Sequence, residues 1–172
     1  MSTKPDNSIV GFSIVELLIA LAIIALLLAA VAAAFNSSII NYRENEDVFK
    51  TINSARQALF RITSQLRTAN AVDPNSPNNE CALITAGGDD ITYRYDNGDN
   101  KLYLDSNGNS YVLCDNITAM TFTKDTTTEM IDVNGVPTPM TYTRSVQTSI
   151  TVQSGNVQRT VSAAAVLRRN LK

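Results

Sequence analysis

Residues 11–35 read GFSIVELLIALAIIALLLAAVAAAF, an apolar stretch with one charge, Glu16, near its start. From Leu17 to Phe35 there are 19 residues without a polar side chain. As a helix rising ~1.5 Å per residue these span roughly 28 Å, about one bilayer hydrocarbon core. The segment is therefore expected to cross a membrane once. Ahead of it stands a polar leader, MSTKPDNSIVG, residues 1–11. A secretory signal carries its apolar region before the cleavage site and loses it on processing. Here the only polar-to-apolar junction is Gly11-Phe12. A cut there removes the leader and leaves the whole apolar helix on the mature chain.

Gly11, Phe12 and Glu16 within GFSIVELLIALAII resemble the signal of type IV prepilins and type II secretion pseudopilins. The resemblance implies cleavage after Gly11 by a membrane aspartyl peptidase, methylation of the new Phe12 amine, and Glu16 as the fifth residue of the mature chain. An ionisable group in the first turn of a membrane helix costs several kcal/mol unless it finds a partner, and a positive amine is the natural one. The resemblance implies that this partner is the N-terminal amine of a neighbouring subunit, a pairing that aligns helices as they leave the membrane. The plainer alternative is that Glu16 lies at headgroup level and marks a helix start.

The chain has 172 residues and a net charge of −2, of which leader and membrane helix take about 35, leaving one soluble domain of ordinary size. The net charge conceals an asymmetry. Residues 73–132 carry 11 acids against 3 bases, and residues 133–172 carry 5 bases and no acid. The acidic middle argues against a nucleic-acid groove. The basic end, with Arg159, Arg168, Arg169 and Lys172, has no aromatic side chain among those positions to stack a base, and reads as a solvated strand edge. There is no histidine, which excludes Ser-His-Asp and Cys-His catalysis and removes the commonest metal ligand. The 33-position separation of Cys81 from Cys114 is not a zinc-ligand spacing. On an oxidising face the pair is expected to form a disulfide, contributing roughly 3–4 kcal/mol on the chain-entropy model. Two buried free thiols are the alternative.

Beyond the membrane segment, Val48, Ile52, Ala55, Leu59, Ile62, Leu66 and Ala69 recur at alternating spacings of four and three. That is the apolar stripe of an amphipathic helix, with Arg43, Glu46, Lys50, Arg56, Arg61 and Arg67 off it. No proline occurs between Pro5 and Pro74 and no glycine between Gly11 and Gly87, so the two segments are expected to join. The result is one helix of about 58 residues, roughly 85 Å long, closed by the turn-rich run Asp73 to Asn79. The stripe suits packing on the chain's own sheet, with a coiled-coil seam as the other use.

The period then becomes strand-like. Strands are expected at 82–85, 91–95, 101–104, 111–114, 117–123, 142–152 and 157–167, with turns at Asp96-Asn97-Gly98, Asn107-Gly108 and Ser154-Gly155-Asn156. In the last hairpin Val146, Ile150 and Val152 alternate with Gln147, Ser149 and Thr151, and Val161, Ala163, Ala165 and Leu167 alternate on the return. One face therefore packs on something apolar, and the helix stripe is the available surface. The expected fold is α+β and pilin-like: leader 1–11, membrane half of the helix 12–35, amphipathic half 36–72, and a β-rich head 73–172. The segments FRITSQLRTANAV, ITYRYDNGDNKLYL, YVLCDNITAMTF and VSAAAVLRRNLK further resemble W-type minor pilins and J-type minor pseudopilins.

The run Asp96, Asn97, Asp99, Asn100, Asp105, Asn107 and Asn109 offers oxygen ligands that suit calcium, but it lacks the EF-hand register, and turn chemistry explains every residue. No metal or cofactor is expected. The resemblance implies a non-catalytic minor subunit that initiates or caps a type IV pilus, or a minor pseudopilin of a type II secretion system. Its partners would be other pilin subunits, the prepilin peptidase and the inner-membrane assembly platform. It would sit in the bacterial inner membrane as a single-pass protein, with its head in the periplasm or outside the cell, and at the filament tip after assembly. Readings of other classes are a membrane-anchored extracytoplasmic enzyme or sensor, and an adhesin or DNA-uptake tip using Arg168 and Arg169.

Overall fold

The computed structural model describes residues 13–167. Its first element is the helix α1, Ile14–Thr68, whose sequence is rich in Ala and Leu and has no Gly or Pro to interrupt it. The chain divides into two compact units, Met1–Arg43 and Glu44–Lys172. In the first unit every described helical residue is exposed, including Leu18, Leu21, Ile24 and Leu28. In the second unit the helix buries the face that the spacing marks out. Ala55, Leu59, Ile62 and Leu66 are buried, Ile52 packs partly against them, and Thr51, Ala58 and Thr63 widen the stripe.

The helix stops at Thr68, four residues before the expected end. Asn70 and Val72 fit the helical register in sequence, but Asn70 N–H donates to the Ile84 carbonyl at 2.9 Å and its Nδ2 to the Thr85 carbonyl at 2.9 Å. Ala71–Val72 then forms a short strand, β1. A sheet edge thus supplies the partners that a further helical turn would have provided.

The remaining strands are β2 Glu80–Ile84, β3 Asp90–Asp96, β4 Lys101–Ser106, β5 Asn109–Cys114, β6 Ile117–Val133, β7 Val136–Ser154 and β8 Val157–Val166. Strands β1 to β5 form one antiparallel sheet in sequence order, and β6, β7 and β8 form a second. The alternation read in the last hairpin is present: Val146, Ile150 and Val152 are buried, opposite Ala165, Val161 and Arg159. Thr148 shares their buried face, and its Oγ1 has no partner among the described residues. The helix stripe and both sheets contribute to one core, with Tyr93 and Phe122 as its largest fully buried side chains.

Two further expectations need correction. The first is the extent of β6 and β7, which run well past 117–123 and 142–152 into a long hairpin. Its turn is Asn134-Gly135, with φ of 57° and 84°, the left-handed pair that a two-residue hairpin favours. Pro137 and Pro139 lie inside β7, yet β8 covers β7 only from Ser145 onward. Spaced two apart, both prolines turn their missing N–H to the uncovered edge, where no ladder bond is lost.

The second is the disulfide between Cys81 and Cys114. Both are free, buried thiols. Cys81 is on β2 and Cys114 on β5, with β3 and β4 between them. Strands ~4.8 Å apart separate the two backbones by about 14 Å, and a disulfide needs Cα atoms within about 7 Å. Burial pushes both thiols up to about 11. At about pH 8 the native protein is therefore expected to resist iodoacetamide at both positions. Unfolded in guanidinium without reductant, it should gain two adducts by mass, one on each free cysteine. An unchanged mass would mean a bridge had formed.

Candidate functional site

The helix begins with a reciprocal cap. Ser13 Oγ accepts a hydrogen bond from Val15 N–H at 3.3 Å, and the Glu16 carboxylate accepts one from Ser13 N–H at 3.3 Å. Ser-x-x-Glu in this geometry is a capping box, which satisfies two of the four N–H groups that a helix start leaves open. The negative charge also suits the positive end of the helix dipole. Glu16 thus caps the helix start within its own chain, and it remains exposed. Gly11 and Phe12 lie outside the described residues. From Ile14 on, the helix is long and apolar enough to cross a bilayer, and no described residue buries its apolar stretch. A single such helix near the N-terminus is consistent with single-pass anchoring.

In the head, the Asp- and Asn-rich run is occupied with its own contacts. Arg94 Nε donates to Asp105 Oδ2 at 3.0 Å and Nη1 to Asp96 Oδ2 at 3.2 Å, while the guanidinium lies 4.9 Å from the centre of the Tyr103 ring. Asp99 accepts from the Tyr103 hydroxyl, Asp105 accepts from the Ser110 hydroxyl, and Asp96 Oδ1 caps the Gly98 N–H at 2.8 Å. Among the described residues no group of three or more acids and thiols is arranged to hold a metal ion. Burial by itself would raise the Asp105 carboxyl, but hydrogen bonds from Ser110 and Arg94, together with the Arg94 charge, hold it below the usual range.

A carboxyl depressed on folding adds stability above its unfolded pKa of about 3.9, and that stability is lost as the pH falls through the folded value. Asp105→Asn is therefore expected to cost up to about 1 kcal/mol at neutral pH, with the difference from wild type closing in paired thermal melts as the pH falls below the ordinary carboxylate range. A difference that persisted there would place the effect in packing instead.

Two features of the head escaped the sequence reading. Lys124 Nζ donates to the carbonyls of Ser76, Pro77 and Glu80 at 2.6, 3.2 and 3.1 Å, holding the segment that joins β1 to β2. No local pattern marks a lysine on one strand as the clamp of a loop 44–48 positions away. The second is a groove of about 880 Å³ between the β1–β3 side of the first sheet and the projecting part of the β6–β7 hairpin. Its walls include Val72, Ile84, Ile91, Met140 and Tyr142, with Asp73, Asp90, Glu129 and Arg144 as its charged lining. The signal for the hairpin was present as Asn134-Gly135 flanked by Val133 and Val136, but the nearby prolines weaken a strand assignment. Arg168, Arg169 and Lys172 lie outside the described residues.

Comparison with protein-family models, with curated proteins and with solved structures finds no match to this chain.

Proposed function

We propose that the chain is a minor subunit of a type IV pilus, a non-catalytic protein that contributes its apolar helix to a bundle and its β head to the tip. The observation that carries this reading is one uninterrupted helix, Ile14–Thr68, serving two environments. Its early part presents an apolar surface that no described residue covers, and its later part contributes to the core of an antiparallel head. Exposed apolar surface of that extent calls for lipid, for other helices, or for each in turn. The pattern Gly11, Phe12 and Glu16 at its start supports processing by a prepilin peptidase and insertion beside other pilin subunits at an inner-membrane platform.

The non-catalytic part of the reading rests on the groups present. The sequence has no histidine, and burial makes both thiols poor nucleophiles. Asp96, Asp99 and Asp105 are engaged with Arg94, Tyr103 and Ser110. A minor pseudopilin of a type II secretion system shares the same helix and head.

Deleting the gene in its native host and measuring sheared surface pili together with the released proteins tests the proposal. Lost pili with a normal secretome is the expected result. Intact pili with enzymes retained in the periplasm would assign the chain to a secretion system. No change in either would overturn the filament reading in favour of an anchored enzyme or sensor.

A further inference from the structure

Among the described residues, the projecting part of the β6–β7 hairpin has no second layer over it. From Asp125 to Thr141 no side chain is fully buried, and among the described residues the outer edge of β7 has no strand partner before Arg144, whose carbonyl accepts from Leu167 N–H at 2.9 Å. Residues directly opposite in an antiparallel pair share a face. The pairs Thr127↔Tyr142, Glu129↔Met140, Ile131↔Thr138 and Val133↔Val136 therefore set Ile131, Val133, Val136, Met140 and Tyr142 on one side. A two-stranded ribbon is marginal in water unless something covers its apolar face. Met140 is 56% exposed and Val136 62%.

That face meets the groove through Glu129, Met140 and Tyr142, and Val72, Ile84 and Ile91 stand across from it. The floor of the opening is a strand edge. Pro137, Pro139 and Thr141 fall at alternate positions, so their carbonyls and the Thr141 N–H point away from β6. The two prolines limit how far a strand can add there, a known means of keeping an edge from pairing indefinitely. Three acids against one base line the groove, so the chemistry that fits is apolar with positive charge.

We propose that this groove receives an extended segment of another protein chain. The segment pairs its backbone with β7 around Thr141, sets apolar side chains against Ile84, Met140 and Tyr142, and carries at least one Lys or Arg toward Asp73, Asp90 and Glu129. An extended segment answers both halves of the site at once, since main-chain bonds satisfy the edge and alternate side chains fill the walls. The proposal goes beyond the filament reading, because it concerns the head alone and holds whatever the helix joins.

The test places a photoreactive benzoylphenylalanine at Met140 in the full-length protein in its native membrane, irradiates intact cells, and maps the adduct to a residue by mass spectrometry. The expected adduct is intermolecular and falls in a stretch of alternating apolar residues with a Lys or Arg close by. The same probe at Ile84 should capture the same stretch, and at Tyr111 on the far edge strand β5 it should not. Asp90→Lys should lower the yield about fivefold at low salt, the scale of one exposed charge pair, while leaving the thermal melt unchanged. An adduct within the same chain at residues 168–172 would show that the protein fills its own groove and would overturn the proposal. Adducts only with lipid, no adduct, or a yield indifferent to Asp90→Lys would also overturn it.

Discussion

Truncating Leu66 to alanine is expected to lower the unfolding free energy of the head by about 2–5 kcal/mol, a large share of the roughly 5–15 kcal/mol that domains of this size have. Leu66 is fully buried, and it sits one turn beyond Ile62 on the face that enters the core. Removing three carbons there forfeits their transfer free energy and leaves a cavity that the surrounding core closes only in part. In a thermal melt of the detergent-solubilised protein this should appear as a fall of about 10 °C. The same change at Leu28, 64% exposed and outside the head's core, should leave the head's melt where it is. Equal effects at both positions would mean that the head does not depend on the helix for its core.

Glu16→Gln and Glu16→Ala separate helix capping from the intersubunit pairing that the proposed function implies for this residue. A glutamine at this position still accepts the hydrogen bond from Ser13 N–H, so the helix cap survives while the charge is lost. Alanine removes both. If the carboxylate pairs with an amine of a neighbouring subunit, each variant should insert and fold, and each should enter filaments about tenfold less often or worse. That factor corresponds to little more than 1 kcal/mol, well within the cost of an unpaired charge in a membrane helix. Sheared filaments probed for the subunit, with membrane levels as control, give the reading. Incorporation of Glu16→Gln at the wild-type level, with only Glu16→Ala impaired, would make helix capping the whole role of Glu16.

Much of the fold was legible before any coordinates. The stripe from Val48 to Ala69 announced which helix face would be buried, because a 3.6-residue period places those side chains on one side whatever the rest of the chain does. The glycine-bearing turns at 107–108 and 154–156 divided the strands for a similarly local reason. The candidate site was legible in part. The sequence singled out Glu16, while the capping box with Ser13 required the geometry of the first turn. Ser-x-x-Glu before an apolar run was the available signal.

Read alone, the sequence determined a membrane-length apolar helix, its continuation as an amphipathic helix, and a strand-rich remainder whose last hairpin has one apolar face. Each follows from residues a few positions apart, the range over which period, capping and turn chemistry act. Tertiary structure alone decided that Cys81 and Cys114 stand apart, because two intervening strands set their separation. It also decided that Asn70 leaves the helix to bond Ile84, that Lys124 holds the segment before β2, and that the β6–β7 hairpin stands open over a groove. These depend on which strand lies beside which, and strand order joins residues tens of positions apart that no local pattern connects.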